Sequence, residues 1–541
     1  MSSLPCASPT DAQALRSLVL KFAGHPNQLR YSKNLSGSTS ARIDLFGEAC
    51  TFGQDSPLNG WSSQFAQHDE LKGKITFVPS FFMDPNSFNG FVDGGVMDGD
   101  FNWNGAWPVE LTTASQGSSD TSLSSALTDL LGLSGSASAP DATNIIPHLS
   151  TFLGGFLGGS SNDNASPNSN VASKQTTDAN QQTQTKTIAS TISSALSKFI
   201  GSTDGDLLHV KGLGSSGSPS PSKRKDRTKD KEMEKIYMAS VSPWFFTHFG
   251  ADTFNKNFLY TADQHLYAKR WEALVNSSFP TNSNSPSNPL NIDIIQIISW
   301  NDYGESHYIG PIKGAQPTGS EAWTGGMGHA AWLPLTSYYA SAFKNGGQYP
   351  DISKDEEKLV MWSRTHSAQA QVGDPVGEVT GKELVEDTVW AVTLLTEPAN
   401  VTFEVYAYTP SSNANDNSST IISSQTFSVP AGLTKLAMPI GARVLRSASG
   451  SGSESQDEDT QQNQDTTDTA DTLVMQLDAG NPNASDSNAN TGNGDAQRQG
   501  DGTGNGDGDA QTLAPFVFVK NPEKYNYNAW VGCVSSSGVG C

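Results

Sequence analysis

The chain lacks any run of eighteen consecutive apolar residues, so no helix spans a membrane and no membrane partner is expected. It is also short of positive charge, with 33 Lys and Arg against 55 Asp and Glu and a net charge of −22. That balance argues against nucleic acid and anionic lipid as partners. Neither standard Gly-rich phosphate loop occurs, which argues against nucleotide binding. The nine histidines form no HxxxH or HxH pair and the cysteine spacing fits no zinc site, so no metal or other cofactor is expected. No GxSxG elbow precedes a helix, which disfavours a Ser–His–Asp hydrolase. Met1-Ser2-Ser3-Leu4-Pro5-Cys6 has neither a basic nor an apolar region of a secretory leader, so a signal peptide is expected to be absent. Cysteine is scarce, at four residues, yet an even count permits two disulfides. The pairing expected is Cys6–Cys50 with Cys533–Cys541. Sequons at Asn34, Asn164, Asn276, Asn400, Asn417 and Asn483 fit a secreted protein.

What is present is a set of apolar segments separated by polar tracts. Residues 10–23 read as a helix capped by Thr10. Strands are expected at 41–49, 73–83, 95–103, 235–244 and 291–300, and helices at 258–275 and 329–345. Beyond residue 355 the period changes. Strands at 358–366, 388–396, 401–409, 421–430 and 433–440, with turn residues between them, predict an antiparallel β-sandwich. A last strand and a packing tail follow near residue 515. Two tracts rich in Ser, Gly, Asn, Asp and Gln, 113–232 and 446–511, read as long disordered insertions. The run at 222–235 mixes Lys and Arg with Asp226, Asp230, Glu232 and Glu234, and so reads as a solvated linker rather than a polyanion site.

The chemistry concentrates at the strand ends. Asn291–Trp300 reads as a buried strand covered on both faces. It opens into Asn301, Asp302, Tyr303, Gly304, Glu305, Ser306, His307 and Tyr308, as strands do at the catalytic rim of a barrel. Polar and aromatic groups also follow the other strands: Glu48; Asp100, Trp103 and Asn104; Trp244 and His248. Carboxylates with amides and indoles suit carbohydrate, whose C–H faces stack on aromatic rings and whose hydroxyls need polar partners. With metal, nucleotide and serine chemistry disfavoured, paired-carboxylate hydrolysis remains.

The strings GHPNQLRYSKN, GEACTFGQ, FVPSFF, DGDFNWNGAWP, YMASVSPWFFTH, NFLYTADQHLYAKRWE and WNDYGESHYIGPI resemble glycoside hydrolase family 71, the fungal endo-α-1,3-glucanases or mutanases. The resemblance implies an α/β fold: a (β/α)8 TIM-type barrel at 1–112 and 233–350, then a β-sandwich at 355–445 and 512–532. It implies endo-acting, inverting hydrolysis of α-1,3-glucan, no cofactor, and a monomer that is secreted or held in the cell wall. It assigns catalysis to Asp302 and Glu305. Glu305 is the expected general acid and Asp302 the expected base, with Asp100 in reserve. Trp103, Asn104, Trp244, His248, Asn301, Tyr303, His307 and Glu48 are the expected substrate-binding residues. The five strands correspond to strands four to eight of the family's barrel, so an incomplete barrel is expected, as in a truncated chain. The alternatives are a glucan-binding wall protein without turnover and an adhesin acting through its polar tracts.

Overall fold

The computed structural model describes residues 5–31, 40–43, 45–116, 196–214, 235–279, 290–368, 370–409, 418–440, 472–480, 511–512, 516–519, 522–535 and 538–539. The strands in chain order are β1 (Arg30–Tyr31), β2 (Ser40–Ile43), β3 (Ile75–Phe77), β4 (Gly99–Asn102), β5 (Ile236–Val241), β6 (Phe246–Phe249), β7 (Lys256–Leu259) and β8 (Ile294–Ile297). They continue as β9 (Lys358–Arg364), β10 (Thr388–Leu395), β11 (Ala399–Thr409), β12 (Ser418–Val429), β13 (Gly432–Pro439), β14 (Thr472–Gly480), β15 (Gln511–Thr512), β16 (Phe516–Val519), β17 (Ala529–Ser535) and β18 (Gly538–Val539). The longer helices are α1 (Pro9–Ala23), α2 (Val109–Gln116), α3 (Asp204–Gly212), α4 (Leu266–Ser278) and α5 (Leu333–Lys344).

All five strands expected in the first region form, each shorter than its apolar run. β2 pairs with β3, and β4 with β5 and β8, in parallel. Between β3 and β4 the backbone still bonds, Asp98 N–H to Phe77 O at 2.8 Å and Phe101 N–H to Pro79 O at 2.9 Å. The five parallel strands therefore lie side by side in chain order. They curl until the guanidinium of Arg42 on β2 reaches Gln296 Oε1 on β8 at 3.1 Å, and the hydroxyl of Tyr31 reaches Asp293 at 2.7 Å. Among the described residues no backbone ladder joins β2 to β8, so the sheets form no closed barrel. β8 is consequently an edge strand with four half-buried residues, not the doubly covered strand that its apolar run suggests.

The cap of helix α1 lies two residues earlier than expected. Ser8, not Thr10, is its N-cap, in a reciprocal box with Asp11, and Pro9 takes the first turn where no N–H is needed. The expected helix at 258–275 begins only at Leu266, because 256–259 pairs with β6 as a hairpin. Leu266, Tyr267, Trp271, Leu274 and Val275 then bury one face of α4. Cys6 and Cys50 form a disulfide across 44 residues. Cys533 is disulfide-bonded too, while Cys541 lies outside the described residues.

The tract 113–232 is not wholly an insertion without structure. Its residues 113–116 finish α2, and 196–214 contain α3, which packs on the sheet. Asp206 of α3 is the reason: its carboxylate takes two bonds from Arg270 of α4 at 2.5 and 2.8 Å and one from the Tyr237 hydroxyl at 2.5 Å. The charged run at 222–234 lies outside the described residues, as does most of the tract. The second tract, 446–511, likewise contains a strand, β14. Its Thr-Leu-Val-Met-Gln-Leu run pairs with β11 and β16.

The second region is built from two antiparallel sheets of five strands, in the orders β13-β10-β9-β17-β18 and β12-β11-β14-β15 with β16 beside β14. Leu359, Met361, Val389 and Ala391 of the first pack with Val401, Phe403 and Phe518 of the second in one apolar cluster.

Candidate active site

The site grows from the C-terminal end of β8. The segment after it folds back on itself: Ile309 N–H donates to Ser299 O at 2.9 Å and Gly310 N–H to Trp300 O at 3.0 Å. The tip between them is wound tightly. Asp302 N–H donates to the Ser299 hydroxyl at 2.9 Å, and the Asp302 carboxylate in turn accepts Glu305 N–H at 3.2 Å. An Asp side chain closing its own turn is a common loop device. Phe246 N–H bonds to Glu305 O at 3.0 Å, tying the tip to β6.

This winding gathers Asp302, Glu305 and His307. His307 Nε2 hydrogen-bonds Glu305 Oε2 at 3.1 Å and lies 3.5 Å from Asp302 Oδ2, so the imidazole sits between the two carboxylates. A fourth member comes from the β6–β7 hairpin, where Lys256 Nζ sits 2.6 Å from Glu305 Oε1. Burial would raise the Glu305 pKa. The hydrogen bonds and charges of His307 and Lys256 outweigh it and hold the carboxyl at about 2. Tyr260, half-buried near that carboxylate, is pushed up to about 12 by its loss of solvent and by the Glu305 charge. His307 is itself fully buried, walled by Phe245, Trp107 and Trp103 at ring distances of 5.7, 5.7 and 5.9 Å. Asp302 is the more accessible acid, its side chain 32% exposed against 10% for Glu305.

Three donor atoms from Asp302, Glu305 and His307 lie within 4.8 Å of one another, a set that could hold a metal ion. The Lys256 ammonium already supplies the positive charge on the Glu305 side, and His307 hydrogen-bonds the same carboxylate. The arrangement can therefore keep one carboxylate ionised beside a second, more exposed one, as acid–base hydrolysis requires. The oxygens are closer than the roughly 6.5–9.5 Å between the carboxyls of an inverting pair.

The other expected residues separate into two groups. Trp103 packs edge-on against His307, Asn104 is half-buried in the turn after it, and Asn301 is exposed on the acid loop. Glu48 accepts Phe82 N–H at 3.3 Å on the neighbouring strand ends. Tyr303 is folded under the loop, its hydroxyl bound to Pro311 O at 3.1 Å. Trp244 and His248 do not line the site. Trp244 is buried with its N–H on Tyr527 O at 2.8 Å and the Arg364 guanidinium over its ring, so its faces and its donor are taken. His248 points toward the second region, between Asn257 Oδ1 at 2.7 Å and Asp374 Oδ2 at 3.1 Å. Asp100 also turns away. It is fully buried against His209 of α3 at 2.7 Å, on the helix side of the sheet, and cannot serve as a reserve base at the loop.

Lys256 was not anticipated. Its only sequence signal is a lone basic residue after the turn Gly250–Asn255, and its partner stands 49 residues away. Trp300, 55% exposed two residues before Asp302, was likewise passed over.

Comparisons with known proteins identify the family of the chain. The profile of glycosyl hydrolase family 71 matches residues 151–480, more than half of the chain and including the acid loop. A mutanase of Penicillium rubens is 37% identical over 172 residues, 31% of this chain and 34% of the relative. The glucan endo-1,3-alpha-glucosidase agn1 of Schizosaccharomyces pombe is 27% identical over 394 residues, 72% of this chain and 62% of the relative. An ascus wall endo-1,3-alpha-glucanase of the same yeast is 30% identical over 146 residues, 26% of this chain and 30% of the relative. The chain thus spans less than two thirds of each of these relatives. No solved structure matches it. The strand-end acids and the profile over most of the chain lead to one assignment: the protein belongs to glycosyl hydrolase family 71.

Proposed function

We propose that this protein hydrolyses α-1,3-glucosidic bonds within fungal cell-wall α-1,3-glucan, acting on internal bonds as a secreted or wall-bound enzyme. The observation that carries the reading is the cluster of Asp302, Glu305, His307 and Lys256 at a parallel strand end, walled by Trp103. The relatives named above, with α-1,3-glucanase and mutanase titles, supply the substrate class. The Cys6–Cys50 disulfide fits an oxidising compartment. The five parallel strands are read as part of a (β/α)8-type barrel, and the two antiparallel sheets as a β-sandwich beside it.

The charge pattern exchanges the roles expected from sequence. A proton donor must hold its proton at working pH, and Glu305 is held ionised by its contacts with His307 and Lys256. Glu305 therefore suits activation of the attacking water. Asp302, nearer solvent, suits delivery of a proton to the departing glycosidic oxygen. Water adds to the anomeric carbon as the C–O bond breaks, and the proton lost by water passes to Glu305.

Reducing-end release from insoluble α-1,3-glucan tests the activity. Glu305→Gln is expected to lower kcat by roughly a thousandfold. Near-normal release by that variant would overturn the assignment of Glu305. Retention on glucan without any product from the unsubstituted chain would instead favour a binding protein. An aryl glucoside with a good leaving group separates the roles: it should rescue Asp302→Asn and leave Glu305→Gln inactive.

A further inference from the structure

We infer that Phe82, Phe46 and Trp103 form a glucan-binding rail that leads from the protein surface to the acid cluster, and that Glu48 supplies its hydroxyl acceptor. The inference rests on the activity proposed above and adds a binding site to it. The rings are contiguous. Phe82 stacks on Phe46 with centroids 5.4 Å apart and planes 12° from parallel. Phe46 meets Trp103 edge-on at 5.1 Å, and Trp103 meets His307 edge-on at 5.9 Å. The row begins at an exposed ring and ends on the buried imidazole that hydrogen-bonds Glu305.

The topology explains why these residues meet. Phe46 follows β2, Phe82 follows β3, Trp103 follows β4 and the acid loop follows β8. All four are C-terminal ends of parallel strands, so they share one rim of the curled sheet. Phe82 is 49% exposed although a large apolar ring at a strand end could have turned inward, as its neighbour Phe81 does. One face of Phe82 lies on Phe46 and the other is open to solvent. A ring immobilised from behind with a free face is a preformed platform for the C–H face of a pyranose, and it loses little side-chain entropy on binding.

The chemistry also selects the occupant. The carboxylate of Glu48, which accepts Phe82 N–H, is an acceptor beside the open ring. It suits sugar hydroxyls and repels anionic polymers. A neutral glucan strand meets both requirements, and Phe82, backed by Phe46 and Trp103, would hold it on the same rim that carries Glu305 and Asp302.

The test measures depletion of the full chain from solution by insoluble linear α-1,3-glucan, in the Glu305→Gln background so that no substrate is consumed. Phe82→Ala should weaken retention roughly five- to tenfold, the loss expected for one buried ring face, and Phe82→Tyr should restore it. In the active chain, Phe82→Ala should raise KM by a similar factor with kcat within about twofold. Retention of Phe82→Ala equal to that of its parent would overturn the rail and leave the activity untouched. A parent chain that is neither retained on α-1,3-glucan nor active on it would overturn the activity and the rail together. Because Phe82 is half exposed and covers no core, a circular dichroism melt matching the parent confirms that the variant is folded.

Discussion

The two regions of the molecule bury different things. In the second region, the cluster between the two antiparallel sheets contains only apolar side chains, from Leu359 and Val389 to Phe403 and Phe518. The first region buries Asp100, Asp206, Arg270, Glu305 and His307 beneath or beside its parallel strands. Each charge there is paired: Asp100 with His209, Asp206 with Arg270, and Glu305 with Lys256 and His307. Buried charge survives only with such partners. The lesson is that the space between the antiparallel sheets is filled by apolar area, with buried charge such as Arg364 kept to the joint where it pairs with Asp263, whereas the first region depends throughout on pairs whose members come from distant parts of the chain.

The joint between the regions combines both modes and offers the largest way to break the comparison. His265 Nε2 faces the carbonyls of Ala391 and Leu436, His329 Nε2 faces that of Ala529, and His366 Nε2 accepts Asn526 N–H. Burial lowers all three to about 4, against the partial support of backbone carbonyls. The unfolded chain then binds more protons than the folded one between about 6.5 and 4. Their contribution is complete above about pH 6.5 and is lost as pH falls toward 4. The unfolding free energy from urea titrations should drop across that window by several kcal/mol in total, on the order of the three shifts combined. His329→Gln should flatten part of the slope, and a pH-independent midpoint would contradict the account.

Within the first region, Arg270→Met should cost about 3–5 kcal/mol, because it strands the Asp206 carboxylate in the interior. Adding Asp206→Leu should recover much of that loss by removing the orphaned charge, a recovery measurable in a denaturant double-mutant cycle. Cys50→Ser opens the 44-residue separation closed by the disulfide and should cost roughly 2–4 kcal/mol. The stability of the second region, followed by Trp390 and Trp530 fluorescence, should change little.

The smallest effect concerns a single carboxyl. Burial raises Asp387 to about 6 despite the bonds from Ala368 N–H and the Ser367 hydroxyl. Here the folded state holds the extra proton, so the sign is reversed and stability declines as pH rises from about 4 to 6. Asp387→Asn should remove this decline, gaining on the order of 1–2 kcal/mol at pH 7. No gain would mean that the ionised carboxylate is better solvated than its burial implies.

Much of this was legible in the residues. The five parallel strands and β9 to β13 fall at or close to their expected apolar runs, while β7 and β14 do not, and the acid loop announces itself because Asp302, Glu305 and His307 are neighbours in the chain. Asp206 could not be read in this way. It sits in a tract of low-complexity composition, and only its pairing with Arg270, 64 residues on, orders α3. Trp244 was misjudged because a strand-end indole looks the same in sequence whether it faces a sugar or, as here, the backbone of Tyr527.

By itself, the sequence determined which segments become strands and which short loop carries the carboxylates, since apolar period and turn residues act over a few positions. Tertiary structure alone decided which carboxylate is ionised, which aromatics reach the rim, and that Asp100 turns away from the loop. Those outcomes depend on burial and on partners such as Lys256, Phe46 and His209, whose distances in space are unrelated to their distances along the chain.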